Sequence, residues 1–515
     1  MIETVLFLFL LLFLFLVLRY TGKTTSDKLH LPPSPPSLPL LGHLHLLSSS
    51  LHTSLHTLSA AHGPLLLLRL GPSRRLLVVS SAEVAGHIFK SHDLAFSSRP
   101  VFAFAEKLPF GLAGFVTAPY GPYWRFVKKV CVTELLSPRQ LEGSKKVRKE
   151  EMEGLVKGVL EHAREKGGAI DLGSQLMKLT NNITCRMAMT TCCSEKYEDA
   201  EKIRELVKES FELAAKLCFG DVLGPLKQLS FWVYGKKALD VSTRYDELLE
   251  KVLKEHEHRR SSRQSGGDEE RERDLMDILL DLHHDAHAEF KITRTHIKAF
   301  FLDLFIAGTN TSAEATQWTM AELLNHPEAF EKVRKEIELV VSGNGRLVDE
   351  SDVAKMPYLQ AVVKETLRLH PPAPVTTREC RQQCKINGFD VAAKTAVAIN
   401  LYAIMRDPDS WDNPNEFVPE RFLSEEEDED CSDGKRMKFN FVPFGGGRRG
   451  CPGTELAFIF INTAVAAMVQ CFDWKIGEDG NGKKVNMQSG SSGLSLSMAH
   501  PLMCVPVVHF TPYDA

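Results

Sequence analysis

The sequence predicts a mainly α protein with a small β-sheet region (α+β), carried behind a single N-terminal transmembrane helix. Three observations predict this. An unbroken apolar run opens the chain, long apolar-periodic stretches of helical spacing dominate its body, and strand-like runs are few and short. The 515 residues allow either about three domains or one large one. No internal repeat is present and no linker cuts the chain after the hinge described below, so one large body is expected. Charged residues make up 25% and the apolar set 43%, which is ordinary for a folded globular protein. The 62 Lys+Arg and 66 Asp+Glu leave a net charge of -4, which argues against bulk electrostatic binding to nucleic acid. The 11 cysteines are sparse, odd in number and lack CxxC spacing. A disulfide scaffold, a structural zinc site and thioredoxin-like chemistry are therefore poorly supported.

Taken in order, residues 1–20 read as a membrane anchor. Val5 to Leu18 contains only Val, Leu and Phe, and twenty helical residues reach about 30 Å, enough for one hydrocarbon core. The run ends in Leu18-Arg19-Tyr20 without small residues of a cleavage site, which favours an uncleaved anchor over a signal peptide. Arg19, Lys23 and Lys28 follow it and should stay on the cytoplasmic side. Residues 21–42 read as a basic, Pro-rich hinge: Leu31-Pro32-Pro33-Ser34-Pro35-Pro36 cannot continue a helix and favours a stiff extended linker. Residues 43–515 form the expected folded body. Leu65 to Leu70 and Leu76 to Val79, around Gly71-Pro72-Ser73, read as a hairpin. Helical patterns follow around Glu150 to Lys166, Glu198 to Lys216, Ala299 to Leu324 and Val353 to Leu369. His258 to Asp274 is a charged run expected to be a solvated loop, and Glu425 to Asp430 a similar acidic insertion. Thr395 to Ile399 and Cys504 to Phe510 are late strands.

The most informative segment is Phe444-Gly445-Gly446-Gly447-Arg448-Arg449-Gly450-Cys451-Pro452-Gly453. Gly445, Gly447 and Gly450 match G-x-G-x-x-G, the dinucleotide fingerprint, and Asp473 lies near the spacing of a ribose ligand. The context opposes it: Pro443 disfavours a central strand before the glycines, and Pro452-Gly453 interrupts the helix start that would hold a pyrophosphate. The competing reading starts from Cys451. A cysteine in a Gly-rich loop, near Arg449 and just before a helix, has influences that lower a thiol pKa. A thiolate is the axial ligand that pushes electron density onto haem iron, glycines let backbone approach a flat macrocycle, and Arg449 could pair with a haem carboxylate.

The segment is similar to F-x-x-G-x-R-x-C-x-G of the cytochrome P-450 family of haem-thiolate monooxygenases, with Phe444, Gly447, Arg449, Cys451 and Gly453 in place. The resemblance runs over essentially the whole chain. Glu365 and Arg368 match the family's E-x-x-R, and Arg421, in Pro419-Glu420-Arg421-Phe422, would join them in a buried structural network. Trp124 and Lys128 resemble the W-x-x-x-[R/K] pair that the family sets on a haem propionate, and Arg378 sits where many members place another propionate ligand. Ala307-Gly308-Thr309-Asn310-Thr311-Ser312 aligns with the oxygen-activating stretch [A/G]-G-x-[D/E]-T-[T/S]. Gly308 and Thr311 share a helix face, where a small residue and a back-bonding hydroxyl open the helix locally. Asn310 stands where the family has an acid, and an amide cannot gain and lose a proton near neutral pH.

The resemblance implies a fold with haem b between a long central helix and the cysteine loop, Cys451 as iron ligand, and Thr311 assisting proton delivery with Gly308 and Asn310 beside it. It implies that one atom of O₂ enters a substrate C–H bond and the other leaves as water. Electrons would come from NADPH through a membrane-bound cytochrome P-450 reductase, with the body on the cytosolic side of the endoplasmic reticulum. Lys128, Lys129, Lys435, Arg436, Lys438 and Arg448 could form its docking face. The hinge, Tyr120-Gly121-Pro122-Tyr123-Trp124-Arg125 and Asn400 to Pro408 resemble the plant microsomal branch, which oxidises phenolic and terpenoid metabolites. Substrate-facing segments are expected at Phe102 to Phe115, Phe211 to Leu223, Phe301 to Thr309, Val375 to Thr377 and Gly490 to Leu496, mostly apolar. Tyr402-Ala403-Ile404-Met405 is closer to branch members acting on triterpenes than to flavone-forming ones, so a triterpenoid or related terpenoid is the expected substrate, with a flavonoid oxidase as the alternative. Readings from another class are a haem isomerase or dehydratase, or a non-catalytic haem-binding membrane protein. Metalloprotease, serine hydrolase and P-loop motifs are absent from the sequence.

Overall fold

The computed structural model describes residues 29–512 apart from 40, 72–73, 102–104, 112, 190–196, 222–226, 265–273, 342–344, 424–438 and 491–494. The expected anchor at 1–20, the first residues of the hinge, Glu425 to Asp430 and the basic positions Lys435, Arg436 and Lys438 lie outside the described residues. Among the described residues eleven helices of nine residues or more organise the body: α1 (Leu51–His62), α2 (Pro122–Val130), α3 (Lys145–Glu161), α4 (Leu172–Met189), α5 (Tyr197–Asp221), α6 (Lys227–Gln264), α7 (Leu275–His284), α8 (Arg294–Asn325), α9 (Pro327–Val341), α10 (Pro357–Leu369) and α11 (Thr454–Cys471). The fold is mainly helical with small sheets, as the sequence predicts.

The main sheet has the order β1 (Leu65–Leu70), β2 (Arg74–Val79), β4 (Ala396–Asn400), β3 (Val375–Glu379). β1 and β2 form the expected antiparallel hairpin, with Leu65 opposite Val79. β4 joins β2 in parallel, Leu76 opposite Ala396, and pairs antiparallel with β3, Thr376 opposite Ile399. In a second sheet β6 (Met503–Val508) lies between β5 (Phe472–Ile476) and the short strand Ile170–Asp171. The Pro-rich stretch is docked on the body: the Leu67 amide donates to the Pro33 carbonyl at 2.8 Å. Buried His43 clamps it, accepting from the Arg69 amide at 2.7 Å through Nδ1, which leaves Nε2–H to donate to the Pro35 carbonyl at 2.8 Å.

α8 is the axis of the molecule. Thr293 caps it in a reciprocal capping box with His296, and its 32 residues run about 48 Å. It starts five residues before the expected Ala299, because Lys298 at 2.7 Å from both Asp246 and Glu250, and Arg294 on Glu250 and Glu257, fix its polar first turns to α6. The reading of His258 to Asp274 as a loop is corrected over residues 258–264, which are helical, while residues 265–273 lie outside the described residues. α6 continues through Gln264, and Arg294 of α8 pairs with Glu257 just before the charged run begins. α8 packs against α4, α10 and α11. α11 is long and apolar enough to cross a membrane, yet Phe460 to Cys471 is buried, which makes it a core helix. Its apolar side chains join those of α4, α9 and α10 in the largest core cluster.

Candidate functional site

A cavity of about 380 Å³ lies between the middle of α8 and the loop before α11, and it is lined mainly by apolar side chains. Cys451 faces it from that loop. The loop is shaped by its glycines. Gly445 and Gly447 have φ of +68° and +64°, and a Cβ on Gly446 would lie 2.6 Å from the Phe89 ring. The Cys451 amide donates to the Phe444 carbonyl at 3.0 Å, closing the turn, and the Phe444 ring packs on Phe458 at 5.3 Å. Burial pushes the Cys451 thiol pKa up, opposed by hydrogen bonds from the Gly453 amide and Thr454 and by the charge of Lys128. The helix-start influence read from the sequence is thus present, but the favouring cation is Lys128 rather than the expected Arg449, and burial outweighs both. A bound cation would reverse the balance, because metal ligation displaces the proton.

A cationic cluster borders the same cavity. Arg449 is buried, donating to the carbonyls of Ser97 and Ala118, each at 2.6 Å, with its guanidinium 4.2 Å from the Trp124 ring centre. Arg378 on β3 is 2% exposed and bonds to Thr376 Oγ1 at 2.8 Å and the Thr377 carbonyl at 2.9 Å. Arg99 lines the cavity with its Nε unpartnered, and the buried Trp124 Nε1 is likewise unpartnered. Desolvation lowers the pKa of all three arginines; the charge of Arg99 adds to it at Arg378 and at Arg449, which falls to about 9, whereas Asp303 opposes it at Arg99. Among the described residues none of the three forms an ion pair with a carboxylate. Three buried guanidiniums and an unpaired indole N–H around one end of an apolar cavity, with a thiol facing it, fit a flat apolar ligand bearing two carboxylates and a soft-ligand metal. Haem b has that chemistry.

Across the cavity, α8 presents Gly308 and Thr311. A Cβ on Gly308 would stand 2.8 Å from Thr184 Oγ1 of α4, so glycine permits the close helix approach there. Thr311 Oγ1 donates back to the Ala307 carbonyl at 2.7 Å, the back-bonding read from the sequence. Asn310 does not line the cavity. It is buried, and its Nδ2 donates to Glu314 Oε1 at 2.8 Å. Lys128 is also turned away, its ammonium donating to the Arg448 carbonyl while its Nζ lies 5.4 Å from the Trp124 ring centre.

The expected structural network is assembled behind the cysteine loop. Glu365 and Arg368 are fully buried and joined by bonds of 2.7 and 2.8 Å, and Arg421 Nε reaches Glu365 Oε1 at 3.0 Å.

Sequence reasoning missed three groups: Arg99, Asp303 and Glu314. Asp303 lines the cavity and accepts from the Val116 amide at 2.8 Å, and burial raises its pKa to about 6. Charged residues inside a long apolar helix were the available signal for Asp303 and Glu314, whereas Arg99 in Ser97-Ser98-Arg99-Pro100 reads as an ordinary loop arginine. Of the expected substrate-facing segments, Phe115, Asp303, Leu304, Ala307, Gly308 and Thr376 contribute to the lining, joined by Val116 and by Ile183, Thr184 and Met187 of α4, which were not anticipated.

The comparisons with known proteins agree with this geometry. The family described as Cytochrome P450 matches residues 32–503. Cytochrome P450 705A22 of Arabidopsis thaliana is 46% identical over 484 residues, covering 94% of this chain and 91% of its own. Beta-amyrin 24-hydroxylase of Glycine max is 42% identical over 95% of this chain and 94% of its own. 3,9-Dihydroxypterocarpan 6A-monooxygenase, also of Glycine max, is 41% identical over 97% of both. A zebra fish cytochrome P450 with progesterone has a TM-score of 0.71 at 25% identity, covering 88% of this chain and 99% of that one.

Proposed function

We propose, from the premise that the chain belongs to the cytochrome P450 family and is a monooxygenase, that it hydroxylates a hydrophobic plant specialised metabolite, most readily a triterpenoid or related terpenoid. The single observation that carries this reading is the juxtaposition of Cys451, an arginine cluster that forms no ion pair with a carboxylate among the described residues, and an apolar cavity under the Gly308–Thr311 stretch. Cys451 would hold the iron of haem b, and Arg99, Arg378, Arg449 and Trp124 would receive its two carboxylates. When bound, that group supplies the activation of O₂ that inserts one oxygen atom into a C–H bond and releases the other as water. The chain does the rest. Gly308 and Thr184 set how closely α4 and α8 approach, Thr311 holds a hydroxyl at the cavity wall, Phe444 covers the loop, and the apolar lining excludes bulk water.

The apolar part of the lining around Gly308 and Thr311 would bind a rigid carbon skeleton by area rather than by charge. The similarity to a beta-amyrin hydroxylase supports a terpenoid, and the near-equal similarity to a pterocarpan monooxygenase keeps a flavonoid oxidase as the second reading. Electrons would come from an NADPH-dependent reductase. The apolar run at residues 5–18 would hold the enzyme on the endoplasmic reticulum with its body in the cytosol. The test is turnover in microsomes supplied with that reductase, NADPH and ¹⁸O₂, with beta-amyrin and a dihydroxypterocarpan offered separately. A product of beta-amyrin heavier by one ¹⁸O atom supports the terpenoid reading, and label only in the pterocarpan moves the assignment to the second. No labelled product from either, in a protein with a thiolate-type CO spectrum, refutes both substrate classes.

A further inference from the structure

The acid missing at position 310 has a counterpart one turn further along α8. Glu314 is 7% exposed in total, and Asn310 Nδ2 and Ser495 Oγ both donate to its Oε1, at 2.8 and 3.1 Å. Its Oε2 is buried and has no partner. Positions 311 and 314 are three apart on one helix, which places their Cβ atoms about 5–6 Å apart; Thr311 lines the cavity, whereas Glu314 is not among its lining residues. Asn310 thus fixes the carboxyl, Ser495 closes it from the C-terminal segment, and the free oxygen is left for a mobile proton.

We propose that Glu314 is the protonatable group serving the oxygen site of this enzyme, acting through a bridging water on Thr311 rather than touching the reacting atoms, with Asn310 as its holder. The inference rests on the reading of Gly308–Thr311 as the oxygen-facing stretch. The proton leaves the Oε2–H bond for the water while that water passes one of its own to Thr311 Oγ, which releases its hydroxyl proton toward the cavity. The Oε2–H bond re-forms from solvent before the next turnover, and no electrons pass through this route.

The surroundings suit the task. Burial pushes the Glu314 pKa up to about 7, and only the Asn310 amide and the Ser495 hydroxyl act against it. The charged groups of the elements packed on it are engaged elsewhere. Lys178 of α4 is exposed, Arg186 of α4 pairs with Glu150 and Glu151, and Glu322 further along α8 pairs with His370. On α10, Glu365 and Arg368 pair with each other. A general acid works best with a pKa near the operating pH, which Asn310 can never offer. Asp303 is the rival buried acid on α8, but it lies eight residues from Thr311, about 12 Å along the axis, and is occupied with the Val116 amide.

The test uses the haem-loaded full chain with reductase and NADPH, and asks for two readouts. The first is the infrared C=O stretch of a protonated buried carboxyl, followed over roughly pH 5 to 9. A band with a midpoint near 7 that Glu314→Gln removes is expected. The second is hydrogen peroxide released per NADPH consumed, in the absence of added substrate. Glu314→Gln should raise the peroxide share and slow water formation by about 100-fold, the lower range for a positioned general acid. Restoring the acid at the neighbouring position, Asn310→Asp in the Glu314→Gln background, should bring the peroxide share back down, and Ser495→Ala should shift the infrared midpoint while keeping the band. If Glu314→Gln does not load haem, Glu314→Asp gives the decision: a retained but displaced carboxyl band with a raised peroxide share supports the relay. Unchanged peroxide share and pH profile in Glu314→Gln, with an intact thiolate-type CO spectrum, would overturn the inference while leaving the monooxygenase assignment standing. Loss of that spectrum in the wild-type protein would instead remove the reading beneath it.

Discussion

Replacing Arg368 by alanine should cost about 4 kcal/mol of stability, and the structure shows where that figure comes from. The guanidinium makes five bonds in a fully buried site: two to Glu365, at 2.7 and 2.8 Å, and one each to the carbonyls of Met405, Pro414 and Glu416 at 2.9, 2.7 and 3.1 Å. Truncation leaves a carboxylate with no exposure and three acceptors without their donor. Breaking one side of a buried pair costs about 3–5 kcal/mol, because the remaining charge is uncompensated. Arg421 at 3.0 Å and the Val418 amide at 3.0 Å still hold Glu365, which keeps the loss from the top of that range. Arg421→Ala should cost only about 1–2 kcal/mol, because its guanidinium is partly solvated and Arg368 stays in place. Arg368→Lys should fall between the two, since an ammonium keeps the charge but has three donors for five positions. Urea unfolding followed by circular dichroism and by haem absorbance would rank the three variants. A midpoint for Arg368→Ala equal to that of the wild type, or a larger loss for Arg421→Ala, would refute the assignment of Arg368 as the hub.

Three further outcomes follow from the site. Arg99→Met should stabilise the haem-free protein and weaken haem retention, because it relieves repulsion with Arg378 and Arg449 but removes a partner for a carboxylate; apoprotein melting and haem transfer to an acceptor globin measure the two directions separately. Gly308→Ala should destabilise by about 1–3 kcal/mol by pressing on Thr184 Oγ1, and adding Thr184→Ala should recover most of it in a double-mutant cycle. The Glu314 carboxyl has a folded pKa of about 7 against the ordinary 4.5, so the native state binds the extra proton between those values. Wild-type stability should therefore fall as pH rises from about 4.5 to 7 relative to Glu314→Gln, by about 3 kcal/mol, and stay flat above; denaturant midpoints that run parallel across that window would contradict the burial of Glu314.

Much of this arrangement was legible in the sequence for identifiable reasons. The β1–β2 hairpin announced itself through Leu-rich runs around Gly71-Pro72, and the cysteine loop through glycines that its positive φ values and the Phe89 contact require. Glu365, Arg368 and Arg421 were placed by the resemblance, since a spacing of three alone reads as an exposed ion pair. What the sequence hid depends on distant partners. Nothing near Lys128 says that its ammonium turns to the Arg448 carbonyl, and nothing near Asn310 says that its amide turns to Glu314. The helical end of α6 reads as loop because its residues are charged, whereas the turns just before it are tied to Arg294 and Lys298 of α8, which no local signal announces. Arg99 carried no pattern at all, and only the fold sets it beside Arg378 and Arg449.

The central claim is that Cys451 is the iron ligand of a haem held by this arginine cluster, and the most direct test is the CO-difference spectrum of the dithionite-reduced protein beside Cys451→Ser. The account predicts a thiolate-type Soret band in the wild type that the serine variant loses. A band of the histidine-ligated type, no haem, or a thiolate band that survives in Cys451→Ser would contradict it.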